Sequence, residues 1–282
     1  MNSYRDVLVP GEEPLDDALA RTTHMGIGAH QDDLEIMALH GILNCYQQPD
    51  RHFSGVTSTN GAGSSRSGPY ADYSAEEMAR VRICEQRKAA IMGDYSAMFQ
   101  LGYSSSEIKQ AKGSAALRDE LTDILLKARP EVVYAHNPAD KHSTHIAVLS
   151  ATIAALRALP EDARPSKVYG CEVWRDLDWL ADDRKVLLDV SGRDGLSNAL
   201  IGMFDSQITG GKRYDLACAG RRRTNATYYD SHSSDQSDGI WFAMDLSPLM
   251  AAPELDIVDF TLNHIFNFAN EVRSVWRTQQ GQ

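Results

Sequence analysis

"TTHMGIGAHQDDLEIMALHGIL", residues 22–43, decides the fold. Its first part, "TTHMGIGA" (22–29), is short and mostly apolar and reads as a strand. Its continuation, "DLEIMALHGILNCYQQ" (33–48), sets Ile36, Leu39, Leu43 and Tyr46 at helical spacing and predicts one amphipathic helix. Between strand and helix stand His30, Asp32 and Asp33, side chains that are costly to bury without partners.

The same alternation continues along the chain. "HFSGVTST" (52–59) reads as a strand and runs into a Gly/Ser-rich loop, 60–74. A helix at 75–93 ends at Gly93. Strands are expected at 97–103 and 131–136, with a helix at 114–128 between them, and a helix at 143–159 stops at Pro160. Later come strands at 166–173, 185–190 and 239–246, and helices near 194–208 and 255–273. Residues 1–20 are polar and read as an irregular lead-in, and 220–239 as a polar loop. Strand–helix alternation of this kind predicts an α/β fold with a mostly parallel sheet and helices on both faces. A single domain is expected over 1–282, with a core at about 22–160 and a C-terminal, substrate-shaping part at about 161–282; Pro160–Pro165 is the best candidate for the boundary between them.

Composition narrows the class. The 282 residues are 43% hydrophobic and 24% charged, ordinary for a water-soluble globular chain. A net charge of -11 repels phosphate backbones, so no nucleic-acid partner is expected. No stretch is apolar enough to span a bilayer, and no signal peptide is expected at the N-terminus. The four cysteines are scattered with no Cys-x-x-Cys, which fits a reducing cytoplasm better than a disulfide framework.

Ligands of open parallel sheets bind at the carboxyl ends of the strands. Two such ends carry unusual residues: "AHQDD" (29–33) and "AHNPADKHSTH" (135–145). Together they offer His30, Asp32, Asp33, His136, Asp140, His142 and His145. A catalytic zinc commonly has three nitrogen or oxygen ligands and one open position. A His–Asp pair from one loop and a His from the other supply that set and leave a second aspartate as general base. His142 and His145 are three apart at a helix start, so one can ligate while the other touches substrate. Helix capping by Asp32 or Asp33 is the plainer alternative.

These residues resemble the signatures of the PIG-L-type (LmbE-like) zinc N-deacetylases. "AHQDDLEI" (29–36) is similar to that family's Ala-His-Pro-Asp-Asp, and "HSTH" (142–145) falls where it carries His-Pro-Asp-His. "TSTNGAGSS" (57–65) is similar to its Thr-x-Gly-Glu loop, "VRICEQRKAAIMG" (81–93) to its Arg-x-x-Glu helix, and "MFDSQ" (203–207) to its Ala-His-x-Ser-Gln. The match runs in family order over roughly 22–210. It implies a Rossmann-like, LmbE-like domain with a C-terminal extension. It implies zinc, or another divalent metal, on His30, Asp33 and His145, and Asp32 as general base toward the attacking water. His142 would steady the oxyanion or protonate the leaving amine, with Asp140 holding that imidazole charged and oriented. Arg82 would contact substrate, and His136 and Asn137 lie close enough to the second motif to join it. Gln31 replaces the family's proline, which makes for a less rigid turn. Ser143 and Thr144 replace Pro-Asp, Ala62 a glutamate and Asp205 a histidine.

The reading is a zinc-dependent hydrolase that removes the N-acetyl group from an N-acetylated amino sugar or its conjugate, the small-molecule partner. Which sugar, and whether the protein is a homo-oligomer, stay open. A zinc amidase for a larger acyl amide and a non-catalytic sugar- or nucleotide-binding module are the competing readings. Arg221–Arg223 read as a solvated basic run with an anion contact as the alternative, and Tyr228, Tyr229 and His232 as either pocket-lining or packing residues. His24 and His40 are read as structural.

Overall fold

Every residue of His24–Gly28 is buried, as a central parallel strand covered on both faces requires. The computed structural model describes residues 4–281. The first three residues of the lead-in, and the last residue of the domain expected over 1–282, lie outside the described residues. The first half of the chain runs β1 (Asp6–Leu8), α1 (Leu15–Ala20), β2 (His24–Gly28), α2 (Asp33–Met37), α3 (Leu39–Cys45), β3 (Phe53–Thr59), α4 (Ala75–Met92), β4 (Ala97–Tyr103), α5 (Ala111–Ala128), β5 (Val132–His136) and α6 (Ser143–Ala158). The second half runs β6 (Lys167–Cys171), β7 (Lys185–Asp189), α7 (Asp194–Gly202), α8 (Asp205–Ile208), α9 (Tyr214–Tyr228), β8 (Ile240–Asp245), α10 (Ser247–Ala251) and α11 (Ile257–Gln279).

The eight strands form one sheet in the order β1-β4-β3-β2-β5-β6-β8-β7. The five from β4 to β6 are parallel; β1 is antiparallel to β4, and β8 is antiparallel to both β6 and β7. After β2 the chain builds outward through β3 and β4, then returns to place β5 on the other side of β2. The order therefore reverses between β2 and β5, and the loops leaving these two strands diverge around a crevice. The β5–β6 ladder carries the sheet straight across Pro160–Pro165.

Helices cover both faces, as the alternation predicts. On one face Met25 and Ile27 pack with Leu121 and Leu125 of α5 and Val148 and Ile153 of α6. On the other, Leu34, Met37 and Ile42 pack with Tyr134, Leu200 and Trp241. Two glycines let α2 lie directly on β2. A Cβ at Gly26 would come within 2.9 Å of Leu34 Cδ2, and one at Gly28 within 3.0 Å of Asp33 Cβ. The glycines of "GIG" thus bring the first turn of α2, with Asp33 on it, down onto the end of β2.

Four local expectations are corrected. The lead-in is not irregular throughout: β1 pairs with β4 at the sheet edge, and Asp6 accepts from Arg87 Nη1. Three residues are too few to show alternation. The helix expected over 33–48 breaks at Ala38, so that α3 lies over β2 and β3 with Gly41 against the Tyr134 and Phe53 rings. The helix near 194–208 breaks before Phe204. Much of the polar loop expected at 220–239 belongs to α9, which turns Cys218, Arg222 and Asn225 inward. Two of those three are polar, so apolar periodicity does not reveal the buried face. Among the described residues no helix is long and apolar enough to cross a membrane.

Glu172, just past β6, is fully buried. Its Oε1 accepts from Asn225 Nδ2 and the Phe242 amide, while Oε2 has no partner. Burial pushes its carboxyl up to about 7 against the pull of Arg221. An acid whose pKa is raised by folding keeps its proton in the native state while the unfolded chain has already lost it. Stability therefore falls as pH climbs from the ordinary glutamate value toward 7, then levels off. The loss is on the order of 3 kcal/mol across that window. Glu172→Gln is expected to flatten this part of the profile, seen as a smaller drop in urea midpoint between pH 5 and pH 7.5.

Candidate metal centre and active site

Both motif loops meet at the crevice between β2 and β5. His30 Nδ1 lies 3.2 Å from His145 Nε2 and 3.4 Å from Asp33 Oδ2, and His145 Nε2 lies 3.5 Å from Asp33 Oδ1. Stretches more than a hundred residues apart thus bring three donor groups to one point. Asp33 does not cap α2, and neither does Asp32. Asp33 Oδ2 instead accepts from the backbone amides of Ala29 and His30, at 3.0 and 2.7 Å. That fixes the carboxylate and leaves Oδ1 toward His145. Burial alone would raise this carboxyl, but His145 and His136 beside it hold it well below the usual range, as an anion.

Asp140 Oδ2 sits 3.2 Å from His145 Nδ1. A carboxylate only accepts, so Nδ1 carries the hydrogen and the lone pair of a neutral ring is at Nε2, facing His30 and Asp33. The expectation that Asp140 holds the His142 imidazole is corrected: its carboxylate takes the His142 backbone amide, at 3.0 Å, and orients the His145 ring. Asp140 thereby supplies near His145 the carboxylate that Thr144 lacks. His142 is not held charged either. Burial, with the neighbouring His30 and His145, lowers its pKa to about 4. Its ring stands 4.9 Å from that of His30, and it lines the cavity. His30, His142 and His145 form a second grouping able to share an ion, and Asp33, His136 and His145 a third.

Asp32 lies at the N-terminus of α2 with φ 93°, in the left-handed region that favours glycine. Its amide is held by Gln86 Oε1, and its Oδ2 lies 3.1 Å from Arg82 Nη2. Burial raises its carboxyl above the usual value; Arg82 opposes this and the Asp33 charge adds to it. Gln31 keeps the turn fixed without proline: buried, it donates to Thr59 O and Gln100 Oε1. Arg82 is itself buried, donates to Gln31 O as well, and stacks over Phe204. Its Nε and Nη1 are buried without a hydrogen-bond partner, and Nη1 lies 3.7 Å from Glu85 Oε2, so the guanidinium is set between Asp32 and Glu85 at the cavity wall. Glu85 of the same helix accepts from the Ser206 amide and hydroxyl, which ties "MFDSQ" to α4.

Two expected substrate contacts are not available. His136 and Asn137 are fully buried and line neither cavity of the crevice. His136 stacks on His145 at 3.8 Å and lies 3.0 Å from the Ala29 amide, while Asn137 donates to Cys171 O. Both belong to the support beneath the crevice. Arg221–Arg223 are solvated only at their last residue: Arg221 donates to Val173 O and lies over Trp241, Arg222 is buried and donates to Asn198, and Arg223 is exposed and pairs with Asp194 at the surface. Tyr229 packs on Phe242, and Tyr228 is exposed.

The crevice opens into a cavity of about 360 Å³, walled by His30, Asp32, Ser64, Arg82, His142 and Gln207 among others. Trp174, Lys212 and Tyr214 complete it, three residues the sequence reading missed; they come from distant segments that carry no motif. Lys212 Nζ lies 5.0 Å over the Trp174 ring, and Tyr214 meets that ring edge-on. A larger hollow of about 650 Å³ between α5 and α6 holds no histidine. The crevice can therefore hold a divalent cation on two imidazoles and a carboxylate, beside a second carboxylate of raised proton affinity.

Comparison with known proteins finds the same fold in solved structures. The fold is shared with the conserved protein TT1542 from Thermus thermophilus, at 19% identity and TM-score 0.60 over 83% of this chain and 98% of that one. It is shared with GalB, the 4-carboxy-2-hydroxymuconate hydratase from Pseudomonas putida, at 19% identity and TM-score 0.61 over 80% and 96%. It is shared as well with the N,N'-diacetylchitobiose deacetylase from Pyrococcus horikoshii, at 18% identity and TM-score 0.59 over 82% and 86%. No curated protein matches the sequence. Residues 25–156, the stretch that carries both motif loops, match the model of one family, PIG-L, the GlcNAc-PI de-N-acetylases.

Proposed function

We propose that the protein is a zinc-dependent N-deacetylase that hydrolyses the acetamide of an N-acetylated amino sugar or its conjugate. The observation that carries this is the approach of His30 Nδ1, His145 Nε2 and the Asp33 carboxylate, Oδ2 toward His30 and Oδ1 toward His145, to within 3.5 Å of one another beside Asp32. The set fits the group: two imidazoles and a buried anionic oxygen, with one imidazole oriented by Asp140, match the ligand type and number of a catalytic zinc. The family-model match over 25–156 and the fold shared with a diacetylchitobiose deacetylase support an acetylated sugar as substrate.

His30, Asp33 and His145 would hold the ion, which when bound polarises the amide carbonyl and acidifies water. Asp32, with its raised affinity for a proton, accepts one from the attacking water and returns it toward the leaving nitrogen. Arg82 holds the Asp32 carboxylate in place. Neutral His142, at the cavity wall, donates a hydrogen bond to the developing oxyanion. The carbonyl carbon gains the water oxygen, the C–N bond breaks, and the two water protons end on the amine and the acid, giving acetate and a free amine.

The hydratase of the same fold shows that this scaffold serves more than one reaction, so amine release is the deciding readout rather than metal dependence. Purified protein is expected to release equal amounts of amine and acetate from N-acetylated sugars or disaccharides. A chelator should stop the release and added zinc restore it. Metal-dependent turnover without free amine would overturn the proposal.

A further inference from the structure

Beside the polar cavity lies a second one of about 170 Å³ that shares Asp32, Asp33, Trp174 and Tyr214 with it. Its remaining walls are Ile36, Val173, Ala217, Cys218, Arg221 and Trp241. Ile36, Val173, Cys218 and Trp241 are otherwise buried core residues. The one charged group among them, Arg221, is occupied by Val173 O and the Trp241 face. The two lobes meet at the pair of aspartates, and they differ in character. One presents serines, Lys109, Lys212, Gln207 and Arg82; the other presents aliphatic side chains, a thiol and aromatic rings.

An amide has two substituents that leave the carbonyl in different directions. Here the polar lobe suits a hydroxylated amine, and the apolar lobe then receives the acyl group. An acetyl methyl would leave most of 170 Å³ empty. An apolar cavity of about 150 Å³ is large enough to take up benzene. We infer that the acyl lobe is built for a chain longer than acetyl: a straight acyl group of about four to six carbons, or a single aromatic acyl ring. The inference rests on the amide-hydrolase reading of the site and deepens it: acetyl amides remain substrates, and amides with a longer acyl group are preferred. The reaction is the same hydrolysis, with a fatty or aryl carboxylate in place of acetate.

Selectivity follows from burial. Each methylene that enters a hydrophobic pocket is worth about tenfold or more in discrimination where the fit is good. Two measurements on the zinc-loaded protein test this. The first is calorimetric binding of acetate, butanoate, hexanoate and benzoate, the acid products, which needs no turnover. The second is amine release from N-acetyl-, N-butanoyl- and N-hexanoylglucosamine, which share one amine product. Hexanoate is expected to bind at least about tenfold more tightly than acetate, with kcat/KM for the N-acyl sugars rising in the same order. Ala217 is exposed on α9 at the cavity wall, so Ala217→Phe fills the lobe without disturbing the core. It is expected to erase the hexanoate-to-acetate ratio. Equal binding of the two acids, or a preference that survives Ala217→Phe, overturns the inference while acetyl hydrolysis leaves the deacetylase reading standing. Release of no amine from any of the three overturns both.

Discussion

Asp32→Asn is expected to keep its divalent metal and lose turnover by roughly a hundred- to ten-thousandfold, the usual worth of a positioned general base. The asparagine amide keeps the shape of the side chain and its oxygen near Arg82 Nη2, now 3.1 Å from Asp32 Oδ2, but cannot take a proton. The three groups proposed to hold the ion do not include residue 32, so metal content should stay near that of the parent. The loss should fall on kcat rather than KM, because the proton moves in the transition state. Steady-state kinetics beside elemental analysis of the same samples checks this. A variant that turns over at the parent rate with metal bound would show that the base lies elsewhere.

His145→Ala should act on the other half of the site. It removes Nε2, which stands 3.2 Å from His30 Nδ1 and 3.5 Å from Asp33 Oδ1, and leaves two donors where a catalytic zinc commonly has three. It also removes the imidazole that does most to keep the buried Asp33 carboxyl ionised. After dialysis the variant is expected to hold almost no metal, and its activity should match that of the chelated parent. Asp140→Asn gives the graded form of the experiment. It weakens the contact to His145 Nδ1 without removing a ligand, and a change of that kind typically lowers metal affinity by about 10- to 100-fold. Circular dichroism separates a folded metal-free chain from an unfolded one. Stoichiometric metal in folded His145→Ala would remove His145 from the ligand set.

The parallel body of the sheet and both motif loops are legible in the sequence because their determinants are local. β2 is a run buried on both faces, "GIG" admits α2, and each histidine–aspartate loop follows a strand directly. What stays hidden depends on contacts made across the fold. Asp140 stands two residues from His142 yet serves His145, because the helix start turns the His145 ring back toward it. His136 and Asn137 end a strand next to the motif, but they sit beneath the crevice rather than in it. The inner face of α9 uses Arg222 and Asn225, which pair with Asn198 and Glu172 across the fold and therefore read as exposed. Trp174, Lys212 and Tyr214 carry no motif, and only the closing of the chain around β8 brings them to the cavity.

The walls of the crevice come from two lengths of chain. The groups that would carry out the reaction lie on the loops after β2 and β5, within 25–156. The far boundary of both lobes is supplied by 173–241, through Trp174, Tyr214, Cys218 and Trp241. On the proposed function, the early segment would serve as the reaction cassette and the later one as a mould, so that changes confined to the mould are expected to retarget the protein to new amides while the cassette stays as it is.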